Sequence, residues 1–152
     1  MTDKKAFKKQ LANVLLDAGF LLKVNSWRAS GEEVVVVVEI NKSPYDEQHY
    51  LNIGFWINRL GSFAGQKYNQ CHLYFRLEGL FPLRRTLILN SLYLSKTGGL
   101  EPNQDFFSFV SSEVIPFVKA SMTLSDLARA FRDGLLADGL LLREARDLLK
   151  SE

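Results

Sequence analysis

The chain of 152 residues has one cysteine, Cys71, which excludes an internal disulfide framework and any zinc site built on several thiolates. No apolar run approaches the ~18 residues that a membrane span requires. The opening residues, Met1-Thr2-Asp3-Lys4-Lys5, lead into an amphipathic segment instead of the apolar core of a signal peptide. Internal repeats and low-complexity tracts are also missing. Charge of either sign is nearly balanced, with 19 Lys and Arg against 17 Asp and Glu.

What is present is 47% hydrophobic and 24% charged residues, too apolar for a disordered chain and ordinary for a globular one. A chain of this length buries roughly 70% of its unfolded surface, so its core needs no metal or disulfide support. The expectation is one cytoplasmic α+β domain spanning residues 1–152. The basic excess is local. Residues 1–30 carry six Lys or Arg against Asp3 and Asp17, residues 31–90 balance, and the remainder is slightly acidic. Lysines on a helix read first as a solvated face; nucleic-acid binding through them ranks behind protein binding.

Periodicity divides the chain into strands followed by helices. Phe7, Leu11, Val14, Leu15 and Ala18 form one apolar stripe, predicting a helix over residues 4–18, capped by Asp3 and ended by Gly19. A strand is expected across residues 20–30. Val34 to Val38 are five consecutive valines, suited to the centre of a sheet because β-branched side chains pack well there. Residues 50–59 alternate, with Leu51, Ile53, Phe55 and Ile57 on one face. Cys71, Leu73, Phe75 and Leu77 alternate in the same way. Residues 61–69 read as a flexible loop, and 83–94 as strand or short helix. Helices are expected over residues 103–119, kinked or ended by Pro116, from Thr123 onward, and after Asp138-Gly139. This pattern predicts an antiparallel meander of about four strands, with an N-terminal helix and a C-terminal group of helices packed on it.

The opposite face of such a sheet would carry Tyr50, Asn52, Trp56 and Asn58 beside His72, Tyr74, Arg76 and Glu78, with Glu39 on the same side. Aromatic residues and arginine among hydrogen-bonding groups are the composition of protein-recognition hot spots. These eight are the expected partner-binding residues. The sequence leaves open whether the C-terminal tail crosses this face instead. An alternative reading is a small enzyme using His72 with Glu39, Arg76 and Tyr74, although His72 and Glu78 stand about 20 Å apart on one strand. Asp46 and His49 lack a third ligand for a metal, and Cys71 on the core face suits packing better than nucleophilic chemistry. Gly61-Ser62-Phe63-Ala64-Gly65 lacks the Lys-Ser/Thr of a phosphate loop, Ser91, Ser108 and Ser111 lack an elbow context, and Arg84-Arg85, a pair able to meet an anion, reads first as simply exposed. No catalytic residue, cofactor or metal is therefore expected.

Several passages together resemble a bacterial domain-of-unknown-function family found in small cytoplasmic proteins. They are Ala18-Gly19-Phe20 after the leading helix, Asn41-Lys42-Ser43, Leu51-Asn52-Ile53-Gly54-Phe55, Cys71-His72-Leu73-Tyr74-Phe75-Arg76-Leu77 and Val114-Ile115-Pro116-Phe117. The resemblance implies an α+β fold and brings no established catalytic residues. It also implies a role as an interaction partner, with toxin immunity as one form of that role.

Overall fold

Helix α1 (Lys4–Asp17) starts where the sequence predicts it, behind a two-residue strand β1 (Thr2–Asp3). The Asp3 carboxylate accepts the Ala6 amide hydrogen at 3.3 Å. Gly19, at φ +93°, lets the chain turn away at the far end. Phe7, Leu11 and Leu15 are the buried face, and the Phe7 ring packs 5.5 and 5.2 Å from those of Phe106 and Phe107. A computed structural model describes the chain from Met1 to Glu152. No helix in it is long and apolar enough to cross a membrane.

The strand expected over residues 20–30 is a hairpin, β2 (Leu21–Lys23) and β3 (Ser26–Ser30), turning at Val24-Asn25. Strand β4 (Val34–Lys42) contains the valine run and pairs in register with β5 (His49–Ile57) along its whole length. Strand β6 (Leu73–Arg76) follows, and the chain continues through α2 (Leu77–Leu80), α3 (Arg85–Ser91) and β7 (Leu94–Ser95). The ambiguous segment is thus a short helix entering a strand that pairs in parallel with β1.

Pro116 does not end its helix. Helix α4 (Gln104–Phe109) widens into a π turn (Val110–Val114) before α5 (Ile115–Lys119), and the Ile115 amide bonds to the carbonyl five residues back, Val110. A widened turn removes the need for an amide at Pro116 and relieves the clash its ring would otherwise make. Helix α6 (Leu124–Arg132) begins at a Thr123 cap whose hydroxyl accepts the Asp126 amide at 3.0 Å. The chain closes with β8 (Leu140–Leu141) and α7 (Arg143–Ser151).

The sheet therefore has six strands and not about four, in the order β2-β3-β4-β5-β6-β8, every neighbouring pair antiparallel. Two sources explain the difference: a turn inside the first predicted strand, and a distant two-residue segment that pairs along β6. One core of 32 residues joins Val34, Val36, Val38, Ile53, Phe55 and Phe75 to the buried sides of α1 and of helices α4 to α7. The other face carries Val35, Val37 and Trp56, a second small core that includes Cys71. Cys71 is therefore not on the helix-covered face. It ends a short turn before β6, outside the strand alternation from which its side was inferred.

What covers this second core is the segment at 61–70, expected as a flexible loop. It lies so close that a Cβ on Gly54 would sit 2.7 Å from the Tyr68 carbonyl oxygen and 2.8 Å from Cys71 Sγ. Gly54→Ala should consequently lower stability by about 1–3 kcal/mol, because a rigid strand cannot yield to a seated backbone. Urea unfolding measures this; an unchanged midpoint would show that the loop is not seated there.

Candidate functional site

The second face of the sheet divides into a covered half and an open half. Five contacts hold the cover. Trp56 Nε1–H donates to the Gly61 carbonyl at 2.9 Å, and the Trp56 ring meets Phe63 edge-on at 6.1 Å. Arg28 reaches the Gly65 carbonyl at 3.3 Å with its guanidinium 5.4 Å from the Phe63 ring. Glu39, at the boundary, accepts the Tyr68 amide hydrogen and the Ser26 hydroxyl through one oxygen, each at 2.9 Å. Burial pushes the Cys71 thiol up to about 12, with the Glu39 carboxylate adding to the shift. Burial and Glu39 likewise raise Tyr68. Neither group is poised for acid–base or nucleophilic work.

His72 belongs to this covered half. Its ring lies 4.1 Å from that of Trp56, and Nδ1 accepts the Ile57 amide hydrogen at 2.9 Å. The neutral ring thus carries its proton on Nε2, 3.9 Å from a Glu144 oxygen on α7. The His72 carbonyl accepts the Leu142 amide. Together these bonds tie the start of β6 to the end of β5 and to the last helix. Asn58 is also committed, donating to the Gly31 and Glu32 carbonyls across the β3–β4 turn.

The strand registers separate the proposed catalytic group. Glu39 stands opposite Asn52, which stands opposite Arg76, whereas His72 lies at the level of Trp56 and Val35. Four residues of strand put roughly 13 Å between the two levels. His72 and Glu39 are not brought together. His49 is the buried first residue of β5, with Nδ1–H donating to the Glu47 carbonyl at 2.8 Å.

The open half is a depression of about 570 Å³ between β5, β6, α2 and the segment before β8. It gathers Asn52, Tyr74, Arg76 and Glu78 of the eight expected residues and adds Tyr68, Arg85 and Asp138. Arg76 is exposed and stacks its guanidinium 3.7 Å from the Tyr50 ring centroid. Tyr74 meets Tyr68 edge-on at 5.8 Å, and Asn52 donates to Asn41 Oδ1 at 2.7 Å. Glu78 is not on the strand as its alternation implied; the chain turns into α2 after Arg76, which buries this carboxylate at the helix start. Its Oε1 has no hydrogen-bond partner.

None of the five ion pairs of the chain uses Arg76, Arg85, Glu78 or Asp138. Arg84, by contrast, is spent on Glu113, donating twice to one oxygen at 3.0 and 2.6 Å. Charges of both signs thus converge on one concavity without pairing. Arg85 belongs to the arginine pair that the sequence marks as able to meet an anion, whereas Asp138 could not be found from local pattern. Asp138-Gly139 read only as a break, and it reaches the depression because β8 pairs with β6. The C-terminal tail thus borders this face at its edge and does not cross it.

These features define an α+β domain with a six-stranded antiparallel sheet, helices on one face, and a half-covered second face bearing a charged depression. Residues 11–98, more than half of the chain, match DUF4304, a domain of unknown function, and the protein belongs to that family. No curated protein and no solved structure matched the chain.

Both histidines titrate below their ordinary value, chiefly through burial; Lys4 and Lys8 lower His49 further, and Glu144 partly offsets the effect at His72. An imidazole that resists protonation when folded stabilises the fold fully above the unfolded value of about 6.5. Below it the unfolded chain takes up protons that the folded chain refuses, so stability falls. Urea midpoints should therefore drop between about pH 7 and pH 5.5, and His72→Gln should flatten that slope whatever its own baseline. A slope identical to that of the native chain would contradict this.

Proposed function

We propose that the protein is a binding module that captures a partner protein through the open half of the second sheet face, with Arg76 as its anchor. The observation that carries this reading is the set of unpaired charges in one depression: Arg76 and Arg85 beside Glu78 and Asp138. Such a surface favours a partner that offers an acceptor, such as a carboxylate, and a donor, such as an ammonium group, at adjacent positions. Tyr50 holds Arg76 against its ring, which reduces the freedom the guanidinium loses on binding. Tyr68 and Tyr74 supply aromatic area at the boundary with the cover.

The reading extends to a cytoplasmic bacterial protein whose partner is a toxin. A module of this kind neutralises a toxin by occupying its working surface, and the absence of a recognisable catalytic motif agrees with such a role. Co-expression with a toxin captured in this way would then relieve growth arrest.

Replacing Arg76 by alanine should weaken capture by about tenfold or more, as for an anchor at the centre of an interface. Thermal unfolding should shift little, because Arg76 is exposed and makes no ion pair. The check is a comparison of proteins retained from the native host on columns of the native chain, Arg76→Ala and Arg85→Ala, with affinities then measured for any protein lost from the variants. Identical retention on all three columns would refute the site.

A further inference from the structure

The floor of the depression at Arg76 differs from its rim. Arg76, Pro82, Arg85, Asp138 and Leu140 are exposed, whereas two polar residues of the floor are buried, Asn52 at 4% exposure and Glu78 at 5%. A carboxylate at that depth ordinarily has its oxygens hydrogen-bonded, because an unsatisfied buried acceptor costs free energy. Glu78 Oε1 has no hydrogen-bond partner, and the side chain enters no ion pair. The fold therefore holds, at the bottom of a concavity, an acceptor that a donor from outside would satisfy.

Two close backbone approaches set a second carboxylate beside it. Gly139 lies so near the Phe75 ring that a Cβ there would overlap it, which holds the segment before β8 down on β6. Gly79, next to Glu78, faces the same segment. A Cβ on Gly79 would stand 3.5 Å from the Asp138 carbonyl oxygen and 3.7 Å from the Asp138 Cβ. Glu78 and Asp138 thus stem from adjoining backbone and line one concavity. Aliphatic side chains accompany this rim. Leu140 is 47% exposed, and Leu83, between Pro82 and Arg85 in the chain, is 99% exposed. A small molecule on the floor would leave Leu83 in water, whereas the surface of a partner protein would cover it.

We propose that Glu78 receives the cation of a lysine or arginine side chain of the partner protein, which enters the depression past Asp138. The inference rests on the reading of this depression as a protein-binding site and names the group that it takes. A charged donor is the match for a desolvated carboxylate, since such a bond is roughly twice as strong as one between neutral groups. Lys and Arg carry their charge on an unbranched stem that can pass the rim, with the rings of Tyr68, Tyr74 and Phe75 beside its methylenes. Arg76 and Arg85 would repel a lone cation, so the partner sets an acidic residue next to the basic one. A nucleic acid would satisfy the arginines but bring its phosphates against Glu78 and Asp138.

The test uses the full chain, isotope-labelled, and three acetylated and amidated peptides, Gly-Leu-X-Glu-Leu-Gly, in which X is Lys, Arg or norleucine. The Lys peptide, the Arg peptide or both should shift the side-chain carboxyl carbon of Glu78 and the amide of Gly79. Either should bind about tenfold more tightly than the norleucine peptide, and the tighter of the two identifies the cation. All three should shift the Arg76 guanidinium signals, because each carries the glutamate. Glu78→Gln should abolish the preference over norleucine and keep the response at Arg76. It should also raise the unfolding temperature, since an unpaired amide is less costly to bury than an unpaired carboxylate. Equal affinity for the three peptides, or no response at Glu78 at millimolar concentration, would overturn the proposal. So would a Glu78 response to calcium or magnesium chloride alone, or a Glu78→Gln variant that keeps the preference. If Arg76 still responds in those cases, only the role of Glu78 falls. Silence at Arg76 as well would overturn the reading of the depression on which it rests.

Discussion

The second face of the sheet is organised by a single carboxylate. Glu39 sits on β4, 7% exposed, and one of its oxygens accepts both the Ser26 hydroxyl and the Tyr68 amide hydrogen. A buried acceptor of this kind is costly unless satisfied, so it is most stable when β3 and the crossing loop are both in place around it. The loop is pinned to the sheet at Tyr68, and its remaining contacts follow along the strands. Trp56 holds Gly61, Arg28 holds Gly65, and Cys71 is trapped against Gly54. The small core of Val35, Val37, Trp56 and Cys71 exists because this cover excludes water from it.

The position of that pin also determines what stays open. The cover does not extend over Tyr50, Tyr74 and Arg76, which are left at the surface or close to it. Glu78 and Asp138 enter the same space from elements that only tertiary structure brings there. Residues that alternate identically along one strand therefore have opposite fates. Trp56 is a core residue, whereas Tyr50 on the same face supports an exposed guanidinium. Covering one half stabilises the sheet, and leaving the other half free leaves its charges unpaired.

Much of this architecture could be read from local pattern. The Phe7-Leu11-Leu15 stripe, the Asp3 cap and the Gly19 stop gave the first helix almost to its ends, because capping chemistry is local. Alternation correctly separated Leu51, Ile53 and Phe55 from Asn52, Gly54 and Trp56. It failed where the strand itself ended. Cys71 and Glu78 lie just outside β6, and residues beyond a strand do not inherit its period. The hairpin at Val24 escaped notice because its turn lacks the glycine that usually marks one. The strand at Leu140–Leu141 was invisible for a different reason: two residues carry no period, and only pairing with β6 makes them a strand. For the site, strand alternation supplied Asn52, Tyr74 and Arg76. It could not reveal that a loop read as flexible would bury His72 and Trp56 and expose a depression elsewhere.

The central claim is that Glu39 seats the loop and so divides the face, and the thiol of Cys71 reports on it directly. Labelling by an aromatic disulfide reagent at pH 8 should be far slower for the native chain than for the chain in denaturant, because the thiol is buried and pushed up to about 12. Glu39→Ala should accelerate labelling about tenfold or more while the far-ultraviolet spectrum keeps its helical and sheet content, since the change frees the loop and not the sheet. Labelling of the native chain at the rate of the denatured one, or a rate indifferent to Glu39, would contradict the account.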